Sequence, residues 1–539
     1  MSERATESST MNALAGTGSL VRLALRRDRI MLPVWILVFV SFATSSASAT
    51  IGLYPTLESR VQLAAGVNAN PALLAMYGWV FDETSIGAVA MFKMVALGGT
   101  LVAILAILLV TRHTRAEEEA GRLELIGATV VGRHAALTAA LIVATGMALV
   151  LSLLTALSLM ANKLPVAGSF AFGLGWAAAA IAFAAVAAVA AQLTASARAA
   201  NGIATATLGA AYLIRAIGDT SGDGGPTWIS WLSPIGWVQQ VRAYAGDRWW
   251  VLLLPVLFAA ALVTGAYALN ARRDLGAGLL ADRPGSARGA HLTGVFSLAW
   301  RLQRGVLLGW AAAFLLSGLA FGGIAANVGN LLDNDKVRDI LTKLGGAQGL
   351  TDAYLATEMG IIALIAAAYG VQAAMRLRTE ETALRAEPVL ATAVSRTRWA
   401  ASHIAIALGG ATFLMAVAGA ASALTYGAAS DMSQFGRVFG AALAQLPAVW
   451  VLTGIVVLAF GFAPRLNHAG WAALAAFVAL GFIGPILGLD QWALDLSPFT
   501  HSPRLPGGTF TATPLLWLTG IAAAGVLAGL AGFRRRDVG

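Results

Sequence analysis

The chain of 539 residues is 58% hydrophobic and only 12% charged, with a mean hydropathy of +0.74, a balance that excludes a soluble globular protein and reads as a polytopic membrane protein. Cysteine is absent, which excludes disulfides, iron–sulfur clusters and thiolate zinc sites, and the six histidines stand at no ligand spacing, so no metal site is expected. The net charge of +9 invites a nucleic-acid reading, but its basic residues are spread over many segments, which argues for a topology signal instead.

Residues 1–18 are Ser/Thr-rich and polar and read as a disordered tail, with no apolar core and cleavage site of a signal peptide. In 19–29 Arg22, Arg26 and Arg29 follow helical spacing beside Leu20, Leu23 and Leu25, the pattern of an interfacial helix. A topological anchor and an active lever are both open readings of it. Apolar runs of about 20 residues, enough to span a bilayer, follow near 30–52, 88–110, 135–160, 169–192, 200–217 and 250–270. A linker of Gly, Pro, Ser and Arg occupies 272–295, and FSLAWRLQR at 296–304 repeats the interfacial pattern. Six further runs lie near 306–327, 355–374, 400–426, 437–462, 467–489 and 513–533.

The predicted architecture is therefore an all-α polytopic membrane protein of about twelve transmembrane helices. It has a first half at 19–271 and a second at 296–539, joined by the linker at 272–295. Six spans per half return both halves to the same orientation, so the repeat is parallel. With a cytoplasmic N-terminus, 25 of the 36 Lys and Arg fall on the inner side, which places both termini inside.

The most informative segment is RAEEEAGRLELIGATVVGR, Arg115–Arg133, which returns 263 positions later as RTEETALRAEPVLATAVSR, Arg378–Arg396, with ten identities including Glu117/Glu380, Glu118/Glu381, Arg122/Arg385 and Glu124/Glu387. The same offset pairs Arg272, Arg273 and Asp274 with Arg535, Arg536 and Asp537. Helical geometry predicts i,i+4 pairs Glu118–Arg122 and Glu381–Arg385, each contributing about 0.2 to 0.5 kcal/mol. Glu117 and Glu124, like Glu380 and Glu387, are seven apart and would share one helix face. The helices would end at Gly127 and Pro388. A solvated charged turn and a docking face for a two-fold basic partner are the two readings, and the duplication of the acidic pattern favours docking.

The run RHTRAEEEAGRLELIGATVVGR (Arg112–Arg133), echoed by RLRTEETALRAEPVLATAVSR (Arg376–Arg396), resembles the cytoplasmic loop of ABC transporter permeases with a type-2 membrane domain, the type V exporter class. The resemblance is to the fused double-length form found among actinobacterial exporters of tetronasin and polyketide antibiotics. It extends over nearly the whole chain, with Trp231-Leu232-Ser233-Pro234 and Leu496-Ser497-Pro498 in corresponding outer loops. It implies elbow helices before each half and coupling helices that dock on two separate ATPase subunits. Glu117, Glu118, Arg122 and Glu124 would meet one ATPase, and Glu380, Glu381, Arg385 and Glu387 the other. ATP and Mg would bind those partners, with no cofactor on this chain, no catalytic residue in it and no nucleic-acid partner. The location would be the bacterial plasma membrane and the direction outward. Thr382, Leu384 and Pro388 replace Glu119, Gly121 and Leu125, so equal coupling of the halves is an open point.

No G-x-x-x-x-G-K-[ST] occurs in the chain, in keeping with an energy source on another polypeptide. Lys93 and Glu358 stand near the outer ends of the second and eighth spans. They are read either as a charge pair closing the outer gate of the pathway or as side chains snorkelling to headgroups. For His403, Gln192, Gln239 and Gln445 helix–helix hydrogen bonding is expected. Spans rich in Ala, Gly, Leu and Val suit hydrophobic or amphiphilic drug-like cargo. The rival reading is a proton-coupled secondary multidrug transporter with 6+6 helices, which needs carboxylates near mid-membrane.

Overall fold

The computed structural model describes residues 13–537 apart from 128–129, 222–225, 275, 281–288, 290–291, 328–345, 467 and 483–488. Residues 1–12 of the expected tail and much of the expected linker lie outside the described residues. The fold is all-helical, and the chain divides into two compact units, Met1–Gly285 and Ser286–Gly539. Among the described residues ten helices are long and apolar enough to cross a membrane, where the apolar runs had suggested about twelve. The two segments read at 200–217 and 467–489 are helical, at Ala197–Thr220 and Ala469–Phe482. The first carries Arg198, Arg215 and Asp219, which lower its hydropathy, and the second is short.

In the first unit α1 (Thr17–Arg27) lies before α2 (Met31–Leu53), and two short helices follow, α3 (Leu57–Asn68) and α4 (Pro71–Tyr77). Thr56 caps α3 through Ser59 N, and Asn70 caps α4 through Ala72 N and Leu73 N, each satisfying amides that a helix start leaves free. Then come α5 (Ile86–His113), the loop helices α6 (Arg115–Glu119) and α7 (Arg122–Gly127), α8 (Ala135–Ala161), α9 (Val166–Leu193), α10 (Ala197–Thr220), α11 (Pro234–Gln240) and α12 (Leu253–Arg272). The core gathers around α9, whose alanines and glycines let its neighbours approach closely. Trp176 of α9 is fully buried, and its ring occupies the space that a Cβ on Gly98 of α5 would need. Its indole N–H donates to Met94 O at 2.9 Å. The tail segment just before α1 is ordered where it is described, because Gly132 N and His134 N donate to Ala15 O and Ala13 O at 2.9 and 3.0 Å.

The second unit comprises α13 (Val295–Asn327), α14 (Gly346–Ala374), the loop helices α15 (Arg376–Thr382) and α16 (Ala386–Leu390), α17 (Arg396–Ala429), α18 (Phe435–Ala444), α19 (Leu446–Phe462), α20 (Ala469–Phe482) and α21 (Ala512–Arg535). The elbow expected at 296–304 is not a separate helix here. It forms the opening turns of α13, because nothing between Leu302 and Gly305 breaks the helical hydrogen bonds, whereas Asp28–Ile30 breaks them between α1 and α2. The span read at 437–462 is two helices end to end, since Pro447 cannot donate and fits only the first turn of α19.

Candidate functional site

In each unit the span before the acidic loop ends in a cluster of carboxylates and guanidinium groups. In the first unit Glu118 receives Arg273 through both oxygens, Nη2 to Oε1 at 2.5 Å and Nη1 to Oε2 at 2.8 Å, and Arg115 Nη1 at 2.6 Å. Arg115 has a completely buried side chain. Its remaining donors go to Ala191 O at 3.0 and 2.5 Å and to Ala277 O at 3.1 Å, so they satisfy a carbonyl left open at the C-terminal end of α9. Arg273 Nε donates to Gln192 Oε1 at 2.6 Å. Glu117 pairs with Arg122 Nε at 2.8 Å and with Arg27 of α1.

The second unit repeats the scheme. Glu381 receives Arg536 at 2.7 and 2.9 Å and Arg378 at 2.9 Å, and Glu380 receives Arg385 Nε at 2.8 Å and Arg376 Nε at 2.5 Å. The Glu380 carboxylate raises the Arg385 guanidinium still further above its ordinary value. Arg133 Nη2 donates to Arg273 O at 2.8 Å, and Arg396 Nη1 to Arg536 O at 2.6 Å. Identities of the sequence repeat are thus members of one clamp, which ties the acidic loop to the last residues of the unit's final span. His134 sits beside it. Burial first, and then the Arg133 charge, hold its imidazole below the ordinary value, so the neutral ring faces Asn270 Nδ2 at 2.9 Å.

Three details differ from the helical expectation. The i,i+4 pairs Glu118–Arg122 and Glu381–Arg385 do not form; Arg122 and Arg385 pair with Glu117 and Glu380 instead, five residues away. The reason is a break in each loop helix at Gly121 (φ 70) and Leu384 (φ 56), in the left-handed region. The break also removes the shared face expected for Glu117 with Glu124 and for Glu380 with Glu387, so Glu124 and Glu387 are exposed while Glu117 and Glu380 point into the clamp. Pro388 does not end its helix but lies in the first turn of α16, where a missing N–H costs nothing.

The first unit adds a contact that the sequence reading missed. Asp28, fully buried just after α1, holds His113 Nε2 at 2.5 Å and Arg112 Nη2 at 3.2 Å. Also unanticipated is Arg215, whose buried guanidinium meets Asp219 at 3.2 Å and the carbonyls of Leu74 and Ala75 at 3.2 and 2.5 Å. An Arg–Asp pair four apart inside an otherwise apolar segment was its available signal. Lys93 is half-buried with its ammonium 5.6 Å from the Phe92 ring centroid. Glu358 is 3% exposed beside the Ser422 hydroxyl. Gln445 Nε2 donates to Pro503 O at 3.4 Å, and His403 Nδ1 lies 3.2 Å from Gln303 Nε2.

Helices of this length and a clamp built twice define a duplicated, multi-pass, all-α membrane protein. The family model "Multidrug efflux system permease Rv1217c, C-terminal domain" matches residues 18–270 and 292–534, and the chain belongs to that permease family. It is 48% identical over 532 residues to the multidrug efflux system permease protein Rv1217c of Mycobacterium tuberculosis (strain ATCC 25618 / H37Rv), covering 98% of this chain and 96% of the relative.

Proposed function

We propose that this permease is the membrane subunit of an ATP-driven ABC exporter that moves hydrophobic or amphiphilic drug-like molecules out of the cell. Two ATPase subunits, which bind ATP and Mg, engage its two cytoplasmic loops. The observation that carries this reading is the clamp itself: a loop built only to turn the chain needs no Arg–Glu–Arg arrangement around a nearly buried carboxylate linking it to another span, and here one is made twice. Such a loop moves together with the end of the final span. The inward carboxylates Glu117, Glu118, Glu380 and Glu381 hold the loop, while Arg122, Glu124, Arg385 and Glu387 are left exposed for the partner. The cargo class follows from the apolar spans and from the efflux permease to which the chain is similar.

The test is to look for a Walker-motif ATPase in the neighbouring reading frame and to co-purify this chain with it. One copy of this chain with two ATPase subunits is expected, and Glu124→Lys combined with Glu387→Lys should lower stimulated ATP hydrolysis at least fivefold. Full stimulation in the double variant, or a chain that extrudes cargo with no ATPase present, overturns the reading. Lys93 and Glu358 are proposed to pair at the outer gate. Lys93→Glu and Glu358→Lys should each lose transport and the double exchange should restore it; transport still absent from the double removes the pairing.

Buried Glu358 favours one second reading, a proton-coupled transporter. Efflux that a protonophore abolishes while cellular ATP is held constant would select it.

A further inference from the structure

Beside the first clamp, α2 and α5 of the first unit enclose a hollow between them. The cavity measures about 650 Å³, within the range of small-molecule sites. Its walls are apolar, with Trp35, Phe39 and Phe42 from α2 and Leu101, Leu105 and Leu108 from α5. Only the end nearest the acidic loop is polar. There Thr111, Arg112 and Asn201 line it, and Thr111 Oγ1, Arg112 Nε and Asn201 Oδ1 are buried atoms that have no hydrogen-bond partner. Thr111 is 1% exposed as a whole residue. Buried polar atoms are nearly always satisfied, so three orphans at the mouth of one apolar groove mark a place for a molecule that completes them.

The charges choose among occupants. Arg112 already faces the buried carboxylate of Asp28 at 3.2 Å, so no uncompensated cation is left there for a phosphate. What remains is a guanidinium N–H donor, an amide oxygen acceptor and a hydroxyl that does either. This set fits an uncharged head that both donates and accepts, on an apolar body.

Two of these three polar positions are apolar in the second half. Thr111 and Arg112 precede Arg115 by four and three residues, and the residues so placed before Arg378 are Ala374 and Met375.

We propose that this groove is a one-sided cargo site for uncharged amphiphiles bearing a hydroxyl or amide head, held at the level of the inner-leaflet headgroups. The level and the word cargo rest on the exporter reading above, and the binding test needs no ATPase.

The probe is a long-chain alkanol carrying a mid-chain diazirine, photolysed with the full-length chain in phosphatidylethanolamine/phosphatidylglycerol nanodiscs, with labelled peptides mapped by mass spectrometry. Saturable labelling on residues 31–42 and 101–112 is expected. Asn201→Leu should weaken it about tenfold, as for loss of one buried hydrogen bond. Leu108→Trp, at a half-exposed wall position that tolerates a larger ring, should abolish it, and Leu153→Trp on the exposed side of α8 should leave it unchanged. Labelling that does not saturate, or is equal in all variants, overturns the proposal. So does native mass spectrometry showing a phospholipid that Leu108→Trp releases and the alkanol does not displace. If labelling follows the expected pattern while ATPase stimulation is absent, the energy source has been misread and the groove stands; intact stimulation with no saturable labelling removes the groove alone.

Discussion

The two halves hold the same clamp at different depths. Arg115 is completely buried and spends three of its donors on carbonyls of Ala191 and Ala277, whereas Arg378, at 28% side-chain exposure, reaches Glu381. Arg273 is 5% exposed and fastened to Gln192, while the 18% exposed Arg536 lies over the rings of Phe460 and Phe533 at 4.8 and 5.2 Å. The first loop is also tied to a separate elbow helix through Arg27, and Asp28 just after that helix holds the end of α5, whereas in the second half the elbow segment is part of α13. Duplication kept the ion pairing that fixes the loop and let its surroundings diverge. The two loops are therefore held by unequal sets of contacts.

Single substitutions, each read as thermal unfolding of the purified chain in detergent, test this contrast. Arg273→Ala leaves the nearly buried Glu118 with Arg115 alone and should cost about 3 to 5 kcal/mol, the range for stranding a buried charge. Arg536→Ala should cost less, about 2 kcal/mol, because Arg536 is 18% exposed against 5% for Arg273, so water can enter the space it leaves; equal losses would erase the difference in depth. Asp28→Asn should cost about 2 kcal/mol, since a neutral amide no longer balances Arg112, while Gln303→Leu, which removes the 3.2 Å contact to His403 in the second half, should cost about 1 kcal/mol. The smallest effect has opposite signs in the two halves. Leu384→Gly relieves a left-handed residue and should stabilise by about 1 kcal/mol, and Gly121→Leu should destabilise by a similar amount.

Spans were legible because twenty apolar residues in a row leave few alternatives, and the clamp's members were legible as identities at one offset. The pairing within the clamp was not. Helical spacing favours Glu118 with Arg122, but two buried guanidinium groups, Arg115 and Arg273, need a carboxylate more than an exposed arginine does, and they draw Glu118 inward. The turn at Leu384 was hidden for a related reason. Gly121 announces a left-handed residue, while leucine at the matching position gives no such signal. Asp28 is separated from His113 by 85 residues, and nothing local joins them. The hollow beside α2 was invisible, since apolar residues facing a void and apolar residues facing lipid read alike.

Trp176 stands over Gly98 with its N–H on the Met94 carbonyl, like a key in a keyway between α5 and α9. A substituent at Gly98 would collide with the ring, and a slide of one turn would both break the hydrogen bond and drive the indole into the next side chain. At this level of the pair the indole opposes sliding of α5 along α9, so a displacement of one of these helices along its axis would have to carry the other with it.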